Sequence, residues 1–269
     1  MALYRPGQAQ TEQATQSAKI DVNEIPLDKM KWRLNPERPK VTRYKTNIPS
    51  LDEFLGGGIP VGLTTIWGNA GCGKSLLAKQ IAMNCEGNAL YLCGETLNDS
   101  PERNEYPHVK TVDYTRFLPN YQQAINELFS WIKHLNPKLV VIDSMTTFLG
   151  VSKAALPESS IRDAVWRIHK NAEGLCPIIG ISEARGSGYY QCTAGGKGVQ
   201  HGCSMLVYLY KHLLSRDYQI EGFPNHKIGD TVYTIECQKD KHGLAQNRPM
   251  EIQYDKNDKE RYKIVNPRA

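Results

Sequence analysis

The chain has 269 residues, 40% of them hydrophobic and 23% charged. That is enough for one sizeable α/β core plus an arm, and too short for two large domains. No apolar run approaches the roughly 20 residues that span a membrane, and the N-terminus lacks a secretory-type apolar stretch, so a cytoplasmic protein with no membrane partner is expected. The net charge of +5 permits an anionic partner without requiring one, and seven scattered cysteines with no C-x-x-C pair predict neither disulfides nor zinc.

Residues 1 to about 24 are rich in Gln, Thr, Ala and Ser, and Ile25 to Lys45 stays irregular and basic, broken by Pro26, Pro36 and Pro39. Residues 1–45 therefore read as a flexible N-terminal arm or linker, and 46–269 as one domain. Thr46 to Gly62 holds an amphipathic turn at Leu51, Phe54 and Leu55, then a Gly-Gly-Gly break.

Leu63 to Trp67 is β-prone, Gly68-Asn69-Ala70-Gly71-Cys72-Gly73-Lys74-Ser75 fits G-x-x-x-x-G-K-[ST], and Leu77, Ile81 and Cys85 keep helical spacing. Strand, loop and helix in that order make a nucleotide triphosphate site, where an isolated match would be a glycine-rich turn capping a helix. The glycines let backbone N–H groups close on phosphate oxygens, at the positive end of a helix dipole. Lys74 would reach the β- and γ-phosphates of ATP, and Ser75 would place its hydroxyl on Mg²⁺.

Ala89 to Cys93 reads as a buried strand ending in Gly94-Glu95, and Glu95 is a candidate for orienting an attacking water. His108 to Tyr114 is a short strand. Tyr121, Ile125, Leu128, Ile132 and Leu135 share one helical face. Lys138 to Ser144 is an apolar strand ending in Asp143, either the carboxylate that supports Mg²⁺ or a plain strand end. A helix follows through Ile161, Ala164, Val165 and Ile168, opened by Ser160 with Asp163 in a near capping box. Pro177 to Ser182 and Met205 to Tyr210 are further buried strands. The alternations Tyr233, Ile235, Cys237 and Met250, Ile252, Tyr254 predict an antiparallel meander. The fold class is α/β: a mainly parallel sheet with helices on both faces, ligands at the strands' carboxyl ends, and a C-terminal meander.

Ala184 to Arg216 contains Arg185, Lys197, Lys211 and Arg216 and no Asp or Glu, and its glycine-rich first half carries Tyr189 and Tyr190. Mobile cations can follow phosphates and tyrosines can stack on unpaired bases, which suits single-stranded DNA; the other reading is an ordered loop or an oligomer contact.

Five stretches in order, TNIPSLDEFLGGGIPVG, YLCGETLNDSPERN, VVIDS, TAGGKGVQHGCSMLVYLY and ECQKDKHG, resemble the RecA-type ATPases, over roughly Thr46 to Val265. That group includes the recombinases RecA and RadA, KaiC and the DnaB-type ring helicases. The resemblance implies a RecA-like P-loop core with Glu95 as general base and Arg103 stacked on adenine. It implies Glu183 at a phosphate-sensing position, where recombinases carry Gln and a glutamate is closer to the KaiC pattern. Lys239 and Lys241, by spacing alone solvated charge, become fingers that cross to a neighbour's γ-phosphate, so hydrolysis requires a hexameric ring or helical filament. The implied activity is ATP hydrolysis with action on single-stranded DNA in recombination, repair or replication. A KaiC-like regulatory ATPase or autokinase without DNA binding, or a ring helicase motor, is the alternative.

Overall fold

The computed structural model describes residues 41–94, 105–114, 120–150, 158–186, 191–216, 223–255, 257 and 261–266, all within a unit that begins at Val41. The lead-in is pinned before the sheet starts. Strand β1 (Arg43–Tyr44), in the stretch read as linker, pairs antiparallel with β2 (Ile59–Pro60). Between them α1 (Pro49–Phe54) places its proline in the first turn, where a missing N–H is no loss, and buries Leu51 and Phe54. Asp52 accepts from the Thr46 N–H at 2.7 Å and hydroxyl at 2.8 Å, fixing the entry to that turn.

The core strands and helices follow in chain order: β3 (Gly62–Gly68), α2 (Lys74–Met83), β4 (Ala89–Cys93), β5 (Val109–Asp113), α3 (Tyr121–Leu135), β6 (Leu139–Asp143), α4 (Met145–Phe148), α5 (Glu158–Ala172), β7 (Pro177–Arg185), β8 (Cys192–Thr193), α6 (Gly196–Gly202), β9 (Met205–Leu213), β10 (Thr231–Asp240), β11 (Met250–Tyr254) and β12 (Tyr262–Val265). The sheet order is β12-β11-β10-β9-β3-β7-β6-β4-β5, with β8 on the end of β7. From β9 to β5 the neighbours are parallel, and β10, β11 and β12 continue as an antiparallel meander.

Strand alternation sorts the core onto both faces. Ala89, Tyr91 and Cys93 of β4 join α1 and α2 through Leu51, Leu77 and Ile81, while Leu90 and Leu92 join α3 and α5 through Ile125, Leu128, Val165 and Ile168. This is the expected RecA-like α/β core. Among the described residues no helix is long and apolar enough to cross a membrane.

Some elements depart from the sequence reading. Helix α5 starts at Glu158, so Ser160 lies inside its first turn instead of capping it. Strands β7 and β9 run three residues past their expected ends because β8 pairs with Ala184 and Arg185, and β10 pairs along β9 to Leu213. A strand continues where a partner supplies hydrogen bonds, which the strand's own residues do not reveal.

Two buried polar contacts tie the lead-in and α5 to the sheet. Arg43 donates to Asp240 at 2.7 Å and to the Leu55 carbonyl at 2.7 Å; Asp240 also accepts the backbone N–H groups of His242, Leu244 and Ala245. Burial alone would raise the Asp240 pKa, but those N–H groups and Arg43 outweigh it and hold it below its usual value. On α5, His169 is 3% exposed, its Nδ1 3.3 Å from the Leu63 N–H it accepts. Burial first, then the ammonium of Lys241, pulls its pKa down to about 4.

Arg43→Ala leaves a buried carboxylate short of its cation and should cost about 3–5 kcal/mol in urea unfolding. His169 gives a pH signature. From its ordinary value of 6.5 down to about 4 the unfolded chain holds a proton that the folded chain lacks, so stability falls as pH drops through that window and is complete above it. In His169→Gln this part of the slope should vanish from unfolding midpoints taken across pH 4 to 7; an unchanged slope would show that His169 does not titrate this way.

Candidate active site

The phosphate loop leaves the carboxyl end of β3 under two steric constraints. A Cβ on Gly68 would collide with the Leu209 carbonyl of β9, so glycine is required for close passage of the two backbones. Gly73, directly before α2, has φ of 89°, a left-handed conformation that turns the chain into the helix. Lys74 then opens α2 with its side chain folded back over the loop. It is 8% exposed, and its ammonium donates to the carbonyls of Gly68 at 3.0 Å and Asn69 at 2.7 Å, with the Cys72 sulfur at 3.8 Å.

None of these partners carries a negative charge. Burial pushes the Cys72 thiol above its usual pKa despite the neighbouring Lys74, so it stays neutral. Among the described residues Lys74 forms no ion pair, and a buried cation without a counter-charge is costly unless an anion joins it. Gly71 and Gly73 have no atom within 4 Å of where a Cβ would stand, so space remains over the loop.

The carboxylates gather along the same sheet edge. Glu183, exposed on β7, stands opposite Gly68 in register. Asp143 ends β6 two strands from β3, roughly 10 Å across at normal strand spacing. It is 5% exposed and accepts from the Tyr91 hydroxyl at 2.8 Å. Cys93 of β4 lies opposite Asp143, and the Gly94 N–H donates to the Asp143 carbonyl at 2.6 Å. Glu95, next along, lies outside the described residues, as does Arg103. The Ser75 hydroxyl and the Asp143 carboxylate are hard oxygen donors of the kind Mg²⁺ takes. Among the described residues no cluster of three His, Cys, Asp or Glu could hold a metal, and an ion that shares its shell with phosphates and water needs none.

The basic loop is a hairpin at its base: Ala184 pairs with Thr193 and Arg185 with Cys192. Arg185 and Lys197 are exposed on either side of it, and Tyr189 and Tyr190 lie outside the described residues. Sequence reasoning missed Gln191. Its amide donates to Asn69 Oδ1 of the phosphate loop at 3.3 Å and accepts from the Tyr208 hydroxyl at 2.8 Å. Tyr208 in turn stacks on Trp67 at 4.2 Å. The only sequence signal was the alternation of Tyr208 and Tyr210 in a strand already read as core.

Lys239 and Lys241 are not brought to this loop. Strand β10 runs antiparallel to β9, so Lys239 stands opposite Leu206 and Asp240 opposite Met205, which itself pairs with Thr64. Thr64 precedes Gly68 by four residues, roughly 13 Å along the strand. Lys239 donates to the carbonyls of Gln200 at 2.7 Å and His201 at 3.0 Å at the end of α6, and the Lys241 ammonium lies 3.2 Å from His169 Nε2. Neither is the freely solvated charge that spacing alone suggested.

Residues 44–92, the span from β1 to β4 that includes the loop, match the family model described as ATPase: KaiC. Over 251 residues the chain is 31% identical to the DNA repair and recombination protein RadA of Methanocorpusculum labreanum, covering 74% of this chain and 75% of that protein. It is 25% identical to the protein of the same name from Aeropyrum pernix, covering 77% and 75% respectively. To a UPF0273 protein of Sulfurisphaera tokodaii it is 28% identical, over 80% of this chain and 88% of that one.

Proposed function

Because the chain belongs to the RecA-type P-loop ATPase superfamily, we propose that it binds and hydrolyses ATP, assembles with copies of itself, and acts on single-stranded DNA in recombination, repair or replication. The observation that carries the nucleotide reading is the buried Lys74 ammonium, held among the described residues by neutral groups alone, in a loop with open space above it. A triphosphate supplies the missing charge. The DNA reading draws support from the names of the RadA relatives and from the basic hairpin loop.

In this reading the backbone from Gly68 to Gly73 wraps the phosphates and Lys74 binds the β- and γ-phosphates. Ser75 and Asp143 would hold Mg²⁺, which when bound offsets the negative charge of the phosphates. The Asp143 oxygen is oriented by Tyr91, which prepares it for this role. Glu95 takes the proton of the attacking water, Glu183 faces the γ-phosphate side from beside Gly68, and Arg103 lies against the adenine. Arg185, Lys197, Tyr189 and Tyr190 bind DNA from the loop, and the bond from Gln191 to Asn69 links that loop to the nucleotide. Lys239 and Lys241 act on the next subunit's site in a ring or filament. The arm, which the sequence bounds at residue 45, precedes the ATPase domain, and the contacts of β1 carry that domain back to Val41.

A second reading, a regulatory ATPase or autokinase that binds no DNA, is favoured by the KaiC model match and by Glu183 at the sensing position. ATP hydrolysis measured with and without single-stranded DNA separates them: stimulation supports the first, and no DNA binding at low salt with ATP present supports the second.

Lys74→Ala should lower turnover by about 10²–10³-fold, the usual loss of one transition-state charge contact. Glu95→Gln should bind ATP yet hydrolyse it about 10²–10⁴-fold more slowly. If binding and turnover fall together in the second variant, Glu95 is structural.

Mixing subunits tests the shared site. A Lys239→Ala, Lys241→Ala subunit keeps its phosphate loop, and a Lys74→Ala subunit keeps its lysine hairpin. Together they should regain part of the ATPase activity each lacks, because some interfaces pair an intact loop with intact lysines. A finger variant fully active alone at every protein concentration would disprove the trans role.

A further inference from the structure

The end of β10 meets a cluster of charge that the motifs did not reveal. His169 and Lys170 stand in the last turn of α5, Glu173 lies just beyond it, and Lys241 follows β10. The backbone of this corner is fixed. Arg43 holds Asp240, and the Lys241 N–H donates to the Ser204 carbonyl at 3.0 Å. Reach toward a neighbouring chain therefore comes from the side chains.

The two lysines are held differently. Lys239 is half-buried and donates to the Gln200 and His201 carbonyls, two of those that a helix end leaves without an intrahelical partner. Lys241 is exposed, and its ammonium stands 3.2 Å from His169 Nε2. That nitrogen is a poor acceptor. His169 Nδ1 accepts the Leu63 N–H, so the neutral ring carries its proton on Nε2, which faces Glu173 Oε1 at 3.1 Å. What keeps Lys241 there is the charge of Glu173, not a bond to the ring. Glu173 also pairs with Lys170 at 2.8 Å. Burial alone would raise the Glu173 pKa, but the bond from Lys170 and the nearby charges, Lys241 among them, outweigh it and keep the carboxylate ionised.

We propose that Glu173 is an internal competitor for Lys241: its carboxylate holds that ammonium on its own chain at rest, and a triphosphate presented by a second copy of the chain displaces it. This rests on the reading in which Lys239 and Lys241 act on the next subunit's nucleotide. The sign follows from charge. The carboxylate favours the ammonium in its resting place and repels an incoming phosphate, and both effects oppose engagement. A triphosphate carries several negative charges, whereas Glu173 carries one and shares it with Lys170 and His169, so the phosphates win where a nucleotide is present at the interface. Lys239, held by carbonyls, has no such competitor among the described residues, and Lys241 is the side chain that moves. Only chains with Lys241 released engage a neighbour fully, so the contact lowers the apparent affinity between chains by the released fraction.

ATP hydrolysis by the full chain, measured across a range of protein concentrations, tests this. Glu173→Gln keeps the shape of the side chain and removes an acid from a helix carboxyl end, where negative charge is unfavourable, so the fold is preserved. At subsaturating protein it should raise turnover about two- to fivefold, the scale of one partly exposed ion pair, and bring half-maximal activity to a correspondingly lower protein concentration. ATP affinity, set by the phosphate loop at the other end of the sheet, should match the parent's. Adding Lys241→Ala to Glu173→Gln should abolish the gain, which a residue that merely packs against α5 would not do. Turnover equal to or below the parent's at every concentration overturns the proposal, and leaves the trans role standing where the Lys239→Ala, Lys241→Ala variant has lost activity. If that variant is as active as the parent, the trans reading is wrong and the competition falls with it.

Discussion

A buried ammonium with no ion-pair partner among the described residues is the constraint from which the site follows. Lys74 is 8% exposed, because α2 begins at that residue and its side chain folds back across the loop toward Gly68 and Asn69. Two carbonyls satisfy its protons but not its charge. The anion proposed for the loop would supply that charge, and it would reach Lys74 over a backbone shaped by Gly68 pressed on Leu209 and by the left-handed Gly73. The parallel sheet supplies the remainder, since it delivers Glu183 and Asp143 to the same edge from neighbouring strands.

Along that shared edge, distant stretches of the chain are joined by direct contacts. Asn69 is held through Gln191 to Tyr208, and Tyr208 stacks between Trp67 and Tyr210, at 4.2 and 4.7 Å. Trp67 also donates to Gln238 on β10 at 3.1 Å. Asn69 is thus joined by direct contacts to the base of the hairpin loop and, through Trp67, to the meander two strands away. These contacts are polar or aromatic and directional, so they have distinct made and broken states, unlike the aliphatic packing beneath them.

What could be read from the sequence follows the range of the interaction. The phosphate loop, the strands ending at Cys93 and Asp143, and the inward face of α3 all rest on local periodicity and were legible. Strands β1, β8 and β12 were not, since two- and four-residue strands carry no period and depend on a partner elsewhere in the chain. Tyr254 showed as one beat of an alternating strand, but nothing local told that it would meet Leu76 across a cavity. The same holds for Lys239, whose spacing suggested open solvent and whose ammonium instead caps the end of α6. Charged side chains find long-range partners that a pattern of residue types does not encode.

The direction of β10 sets how the proposed assembly must be built. Because β10 is antiparallel to β9, its last residues arrive at the end of the sheet opposite the phosphate loop, and Arg43 fixes them there through Asp240. No side-chain motion spans roughly 13 Å plus the height of the loop, so a subunit's own lysines cannot serve its own nucleotide. If they serve any, the interface must set the lysine end of one chain against the loop end of the next. Such a contact joins two different surfaces, and a repeated contact of this kind generates a ring where the rotation closes and a helix where it does not. A two-fold dimer meets the same requirement only where the two chains lie antiparallel, so that each loop end faces the partner's lysine end.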